Sequence, residues 1–291
     1  MQTGMFITVT LLGLALILLV WFALRLKMQV RREQQLREEA EVSKQQIIVE
    51  QTRNRQLKQE MTNNIAHELK TPVSSIRGFL EILLGDKPIA EEQRRYFLER
   101  CYSQTLRLSD LINDVSLINK LEEANDLFNR ETVNVWDRAE EAILELQPSA
   151  EQHQISIQND LPRDITIKGN SLLLYSIFRN LIENAIMHAG EGVGIYIGCY
   201  KPTDEHLYIH FYDTGKGVSN EYLPKLFDRF VRIDEGRSRK NGGTGLGLSI
   251  VKHAVLFHGG DIYVKNREEG GLEFFFSLNQ AGSGASLPSG R

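Results

Sequence analysis

The sequence predicts a multidomain chain that holds, in order, a single N-terminal transmembrane helix, an all-α helical hairpin that closes a four-helix bundle as a dimer, and an α+β two-layer sandwich. Three observations predict it. Residues 5–24 are apolar and uncharged, two later stretches repeat apolar residues at spacings of three and four, and beyond about residue 131 short runs alternate with period two. The chain has 291 residues, 42% of them hydrophobic and 25% charged, with a net charge of -4. These are globular values, so a wholly disordered, collagen-like or disulfide-stapled chain is excluded. So small a net charge gives no global field for gripping nucleic acid, and no direct nucleic-acid binding is expected. Two cysteines cannot frame a disulfide scaffold in so long a chain, and Cys101 and Cys199 read as small buried apolar groups in a reducing compartment.

The first element is Met5 to Leu24, MFITVTLLGLALILLVWFAL. At 1.5 Å per residue, about twenty residues match a hydrocarbon core of roughly 30 Å. A cleaved secretory signal is the competing reading, but it needs a basic start, a shorter apolar core and small residues at the cut. The chain instead begins MQTG, and Trp21, Phe22 and Arg25 stand where small residues should be. Arg25, Lys27, Arg31 and Arg32 follow at once, which places the rest of the chain in the cytoplasm. Residues 1–24 are therefore expected to be the membrane span. With four residues before the run and no separate sensor segment after it, the stimulus is expected to enter through the span, through a partner membrane sensor protein, or through residues 25–60.

Residues 25–57 hold no Gly or Pro and mix Arg, Lys, Glu and Gln, the composition of a long exposed helix. Leu36, Ala40, Ile47, Leu57 and Met61 fit a coiled-coil seam that Ser43, Glu50 and Asn54 interrupt. A weak parallel coiled coil and a solvated single helix both fit this linker. Across residues 58–124 the pattern improves. Met61, Ile65, Leu69, Ile76, Leu80 and Leu83 form a stripe that ends at Gly85-Asp86-Lys87-Pro88, and Phe97, Cys101, Leu108, Leu111, Val115 and Ile118 form a second. Two such helices on a short loop expose too much apolar surface to stand alone, and a dimeric bundle would bury it.

Residues 130–279 carry the sandwich. Strands are expected at 131–135, 155–158, 165–168, 194–201, 206–212, 261–265 and 272–278, and helices near 136–150, 171–188 and 245–258, as one layer of helices on one mixed sheet. The tail, residues 280–291, has no apolar period and reads as disordered.

Four constellations stand out as chemistry. In Asn64-Ile65-Ala66-His67-Glu68-Leu69-Lys70-Thr71-Pro72, His67 lies about 200° around the helix from both Ile65 and Leu69, so its imidazole faces water when the stripe faces the core. Glu68, about 100° away, is near enough to accept the proton on Nδ1 and leave Nε2 nucleophilic. Thr71 shares the face of His67, and Pro72 strips the carbonyl of Glu68 of its helical donor, so a bend is expected there. Asn180 and Asn184 lie four apart on one helical face, where neutral amide oxygens hold Mg²⁺ among phosphates without adding repulsion. Asp213-Thr214-Gly215-Lys216-Gly217 follows a strand directly. Asn241-Gly242-Gly243-Thr244-Gly245-Leu246-Gly247-Leu248 opens a helix, whose N-terminal amides and partial charge suit phosphate.

Together these motifs resemble the sensor histidine kinases of two-component systems, over about residues 58–278. The resemblance makes the hairpin the dimerisation and phosphotransfer domain and the sandwich a Bergerat-type ATP-binding domain. His67 is then the residue phosphorylated at Nε2, Glu68 the base, and Thr71 the residue serving dephosphorylation of the response regulator. Asn180 and Asn184 become the nucleotide-facing pair, with Asn184 the Mg²⁺ ligand, and Asp213 accepts from the adenine amino group while Gly215 and Gly217 let backbone approach the base. Gly243, Thr244, Gly245, Leu246, Gly247 and Leu248 form the phosphate loop. Leu226 to Arg232 match the F-box, which brings Phe227 to the site, makes Arg232 a phosphate contact and makes residues 234–242 the lid over ATP.

One departure is Met187, where the family often carries a basic residue that reaches the phosphates; it implies weaker ATP binding or a shifted kinase-to-phosphatase balance. The expected function is a homodimeric, membrane-bound kinase that uses ATP and Mg²⁺ and passes phosphoryl groups from His67 to an aspartate of a response regulator. Two other readings stay open here. An ATP hydrolase of the wider superfamily that includes gyrase places a water-activating Glu where this chain has Asn180, and a catalytically silent or phosphatase-only scaffold rests on Met187.

Overall fold

The computed structural model describes residues 2–123, 128–199, 206–231 and 243–279. The chain divides into two compact units, Met1–Asn63 and Asn64–Arg291. Helix α1, Gln2–Leu84, is an unbroken helix through the first unit and the start of the second. Within the first unit the guanidinium of Arg25 lies over the Trp21 ring at 5.2 Å, and the seam residues Ile47 and Leu57 are about half exposed. Among the described residues no helix is long and apolar enough to cross a membrane. Most side chains of the run Met5–Leu24 lie outside the described ones.

In the second unit, α1 ends at Leu84 and α2, Glu91–Glu123, returns antiparallel to it. Their register is set by a stack of Phe79 on Phe97, a contact of Cys101 Sγ with the Ile76 carbonyl, and an ion pair of Glu68 with Arg107. Pro72 is buried inside α1, which is helical on both sides of it. Met61, Leu111 and Ile118 are buried as the stripes predict, whereas Leu80 is 41% exposed and Cys101 and Cys199 are half-buried rather than buried.

The sandwich begins with β1, Glu131–Asn134, and α3, Val135–Gln152, which Asn134 caps by accepting the Asp137 amide. Then come β2, Ser156–Asn159, β3, Thr166–Gly169, and α4, Ser171–His188, capped in the same way by Asn170. After β4, Gly194–Cys199, and β5, His206–Asp213, a 3₁₀ turn at Leu223–Lys225 leads on. Helix α5, Gly247–Phe257, and strands β6, Ile262–Asn266, and β7, Leu272–Asn279, complete the fold. Every expected strand is present, but they make two sheets rather than one. β1 and β3 pair with each other, and the larger sheet has the order β2-β4-β5-β7-β6, with only β2 and β4 parallel.

Period two explains the layering. Leu207, Ile209 and Phe211 on β5 and Phe274, Phe276 and Leu278 on β7 turn inward beneath α3, α4 and α5, and their neighbours Tyr208, Tyr212, Glu273 and Phe275 turn outward. Full burial of each such side chain contributes about 1.5–3 kcal/mol. The last turns of α2 join this core through Leu117 and Leu121. The expected lid, Arg232 and the disordered terminus, in residues 232–242 and 280–291, lie outside the described residues.

Candidate nucleotide and phosphoacceptor sites

His67 is exposed on α1, as its place opposite the stripe requires. The Thr71 hydroxyl, one turn on, donates to the His67 carbonyl at 3.3 Å, so both side chains share one turn of helix. Glu68 is half-buried and its carboxylate meets Arg107 of α2 at 3.3 Å.

Asp213 ends β5 and is 4% exposed. Its Oδ1 accepts the Gly215 amide at 2.8 Å and its Oδ2 accepts the Leu272 amide at 3.3 Å, which aims the carboxylate. Burial pushes this carboxyl up, and the donors from Gly215 and Leu272 and the nearby Arg267 oppose the push. A carboxylate has about four acceptor positions, so two amides leave room for an exocyclic amino group. The glycines of this turn are fixed by packing. Gly217 sits at φ +67°, and a Cβ on Gly215 would fall 2.4 Å from the carbonyl oxygen of Ala189. Two residues unmarked in the sequence hold the turn. Asn266 accepts the Val218 amide and donates to the Val218 carbonyl and to Asn220. Arg267 donates to the carbonyls of Asp213 and Gly270 and covers the Tyr212 ring at 4.2 Å.

The glycine loop that opens α5 meets α4 directly. A Cβ on Gly247 would lie 2.6 Å from Asn180 Oδ1, so the start of α5 seats on that amide, whose nitrogen donates to the Ser176 carbonyl. Asn184 is half-buried one turn further on. Its neutral oxygen suits a hard cation that takes its other oxygens from phosphate and water, so the residue fits Mg²⁺. Met187 Sδ would touch a Cβ on Gly243 at 3.6 Å, which puts the departure from the family pattern beside the loop itself. Phe230, at φ +61°, donates its amide to Gly245, itself at φ +72°, and so ties the F-box to the loop. Phe227 packs edge-on against Phe274, Leu246 is fully buried and Leu248 lies against the core.

A further contact was not legible in the sequence. Thr244 takes the Leu246 amide on its hydroxyl and donates to Asp114 of α2 at 2.9 Å. Asp110 on α2 and Arg179 and Glu183 on α4 also face Asp114, and burial is the main reason its carboxyl is raised from 3.8 to about 6. The folded protein therefore holds this proton more tightly than the unfolded chain, and the stability it lends is lost as pH rises from about 4 through about 6. Removing the charge with Asp114→Asn is expected to leave the melting temperature almost unchanged near pH 3.5 and to stabilise above pH 7 by about 1–2 kcal/mol. Thermal unfolding across that range checks it, and a difference independent of pH would contradict it.

Residues 57–124 match the His Kinase A phospho-acceptor domain, and residues 169–282 match the histidine kinase-, DNA gyrase B- and HSP90-like ATPase family. The chain belongs to the sensor histidine kinases. This histidine kinase chain is 33% identical over 232 residues to the sensor histidine kinase WalK of Bacillus subtilis (strain 168), a match covering 79% of this chain and 38% of WalK. It is also 33% identical over 229 residues to the sensor-like histidine kinase SenX3 of Mycolicibacterium smegmatis, covering 79% of this chain and 59% of SenX3. The chain thus spans less than two thirds of either relative. Its fold is shared by the histidine kinase ThkA, crystallised in complex with the response regulator TrrA, at a TM-score of 0.59 and 22% identity over 77% of this chain and 62% of that one.

Proposed function

We propose that the chain is a membrane-anchored, homodimeric kinase that moves the γ-phosphoryl group of ATP to His67 and then to an aspartate of a separate response regulator, whose dephosphorylation Thr71 also serves. One observation carries this reading. An exposed histidine flanked by a half-buried acid lies in the same compact unit as an aimed Asp213, the Asn180–Asn184 face and a glycine loop opening α5. Asp213 orients the adenine, and the loop and the start of α5 hold the phosphates; Asn184 would hold Mg²⁺, which would supply neutralising charge to the phosphates. Nε2 of His67 forms a bond to the γ-phosphorus as the bond to the β-bridging oxygen breaks and ADP leaves, and the Nδ1 proton passes to Glu68.

The dimer is supported by apolar residues the hairpin leaves outside, among them Val73, Ile82, Leu98, Leu106 and Ile112, each about half exposed. The membrane anchor is supported by the uncharged run and by the Arg25–Trp21 pair at its cytoplasmic end, a combination suited to a bilayer interface. The response regulator is supported by the solved complex of a protein of the same fold. The hydrolase reading is weaker: the amide of Asn180 sits where the general base would be, and Glu183 is held by Arg179 at 3.0 Å.

Radiolabelled ATP with Mg²⁺ separates the readings. A kinase gives an acid-labile, base-stable label on the chain that chases onto an added response regulator. Release of inorganic phosphate with no label on the protein overturns the proposal in favour of hydrolysis.

A further inference from the structure

Several arginines pair with carboxylates on these helices, and one differs in kind. Arg77–Glu81 and Arg95–Glu99 are i,i+4 pairs on one helix with side chains 64–81% exposed. Pairs of that sort contribute little. Arg107 and Glu68 lie on different helices, 39 positions apart, with side chains only 16% and 25% exposed. A carboxylate drawn that far from water needs an opposing charge and a fixed donor, and a guanidinium supplies both.

Glu68 is also the residue next to His67. Its side chain turns about three bonds, so an untethered carboxylate would spend little time where it can take the Nδ1 proton. Arg107 sits on α2, whose register against α1 is held by Phe79 on Phe97 and by Cys101 against Ile76. Any turning of α1 against α2 therefore moves the carboxylate relative to the imidazole. Resting on the kinase reading above, we infer that Arg107 is a positioning residue for the reaction: it holds the Glu68 carboxylate in place to serve His67, and acts on the chemistry only through Glu68.

The test uses the full chain in lipid nanodiscs with Mg²⁺ and radiolabelled ATP, following initial rates of His67 labelling over a range of ATP concentrations. Arg107→Gln is expected to lower kcat at least tenfold with KM for ATP within twofold, and Arg107→Lys to recover part of the rate because it keeps the charge but not the fork. Because Arg107 works through Glu68, the double variant Arg107→Gln/Glu68→Gln should label no more slowly than Glu68→Gln alone. A purely structural arginine would give losses that multiply in the double variant, and that result overturns the inference. So does wild-type labelling by Arg107→Gln, or a loss confined to KM. A wild-type chain that binds ATP but never labels defeats the kinase reading itself, whereas normal wild-type labelling with unaffected variants defeats only the role of Arg107.

Discussion

Replacing His67 by Gln is expected to take phosphoryl labelling from its wild-type level to background, a fall of more than a hundredfold, while leaving the fold and nucleotide binding unchanged. The two halves of that result come from different parts of the structure. His67 is an exposed residue of α1 whose side chain packs into no core, so its substitution should alter stability by no more than about 0.5 kcal/mol. The partners of Asp213, the amides of Gly215 and Leu272, and those of Asn180, the Ser176 carbonyl and Gly247, all lie outside α1. Glutamine has similar length but no nitrogen lone pair to attack phosphorus. Glu68→Gln should instead slow labelling without abolishing it, as removal of a general base commonly costs 10²–10⁴-fold. Label that persists in His67→Gln, with the same acid lability, would move the phosphoacceptor elsewhere and sink the assignment.

Much of this was legible because short-range rules govern it. The helix of α4 runs over the residues its apolar period marks, and the alternation of β5 and β7 names their inward residues. What period two cannot encode is pairing. β1 and β3 alternate like the other strands, yet they pair only with each other, because which edges meet depends on long-range topology. The site divides in the same way. Asp213 and its glycines announce themselves as a turn after a strand, whereas the groups that aim them, Asn266, Arg267 and Leu272, come from the β6–β7 hairpin some fifty or more positions later. Arg107 and Asp114 look like ordinary polar residues of an amphipathic helix, and only the packing of α2 on α1 and on the phosphate loop gives them partners. In the F-box and the loop, it is the family resemblance that points Phe227, Leu246 and Leu248 to the nucleotide, and what no local pattern gives is their packing: Phe227 edge-on to Phe274, Leu246 fully buried and Leu248 against the core.

The most damaging substitution at the nucleotide site is expected at a residue that touches no nucleotide. Gly271 sits at φ +96°, where an L side chain is strained, and a Cβ there would lie 1.9 Å from the carbonyl oxygen of Asp213 and 2.7 Å from its carbonyl carbon. Backbone atoms cannot swing aside, so Gly271→Ala must push the β6–β7 turn away from the end of β5. The neighbouring Leu272 amide then loses Asp213 Oδ2. Positive φ alone costs an alanine about 1–2 kcal/mol, and the forced displacement adds overpacking of about 1–3 kcal/mol. A total of about 3 kcal/mol corresponds to a fall of roughly 6–12 °C in Tm for a domain of this size. Nucleotide affinity should drop at least tenfold in the protein that remains folded, because Asp213 is no longer aimed. Gly192→Ala separates the causes: Gly192 is also at positive φ, +69°, but nothing lies within 4 Å of its Cβ. That variant should lose about 1–2 kcal/mol of stability and keep its nucleotide affinity. If the two substitutions instead prove equally mild, and fluorescent-nucleotide titration finds ATP binding intact in both, then the close approach of the β6–β7 turn does not aim Asp213, and the turn at Gly215–Gly217 must do so alone.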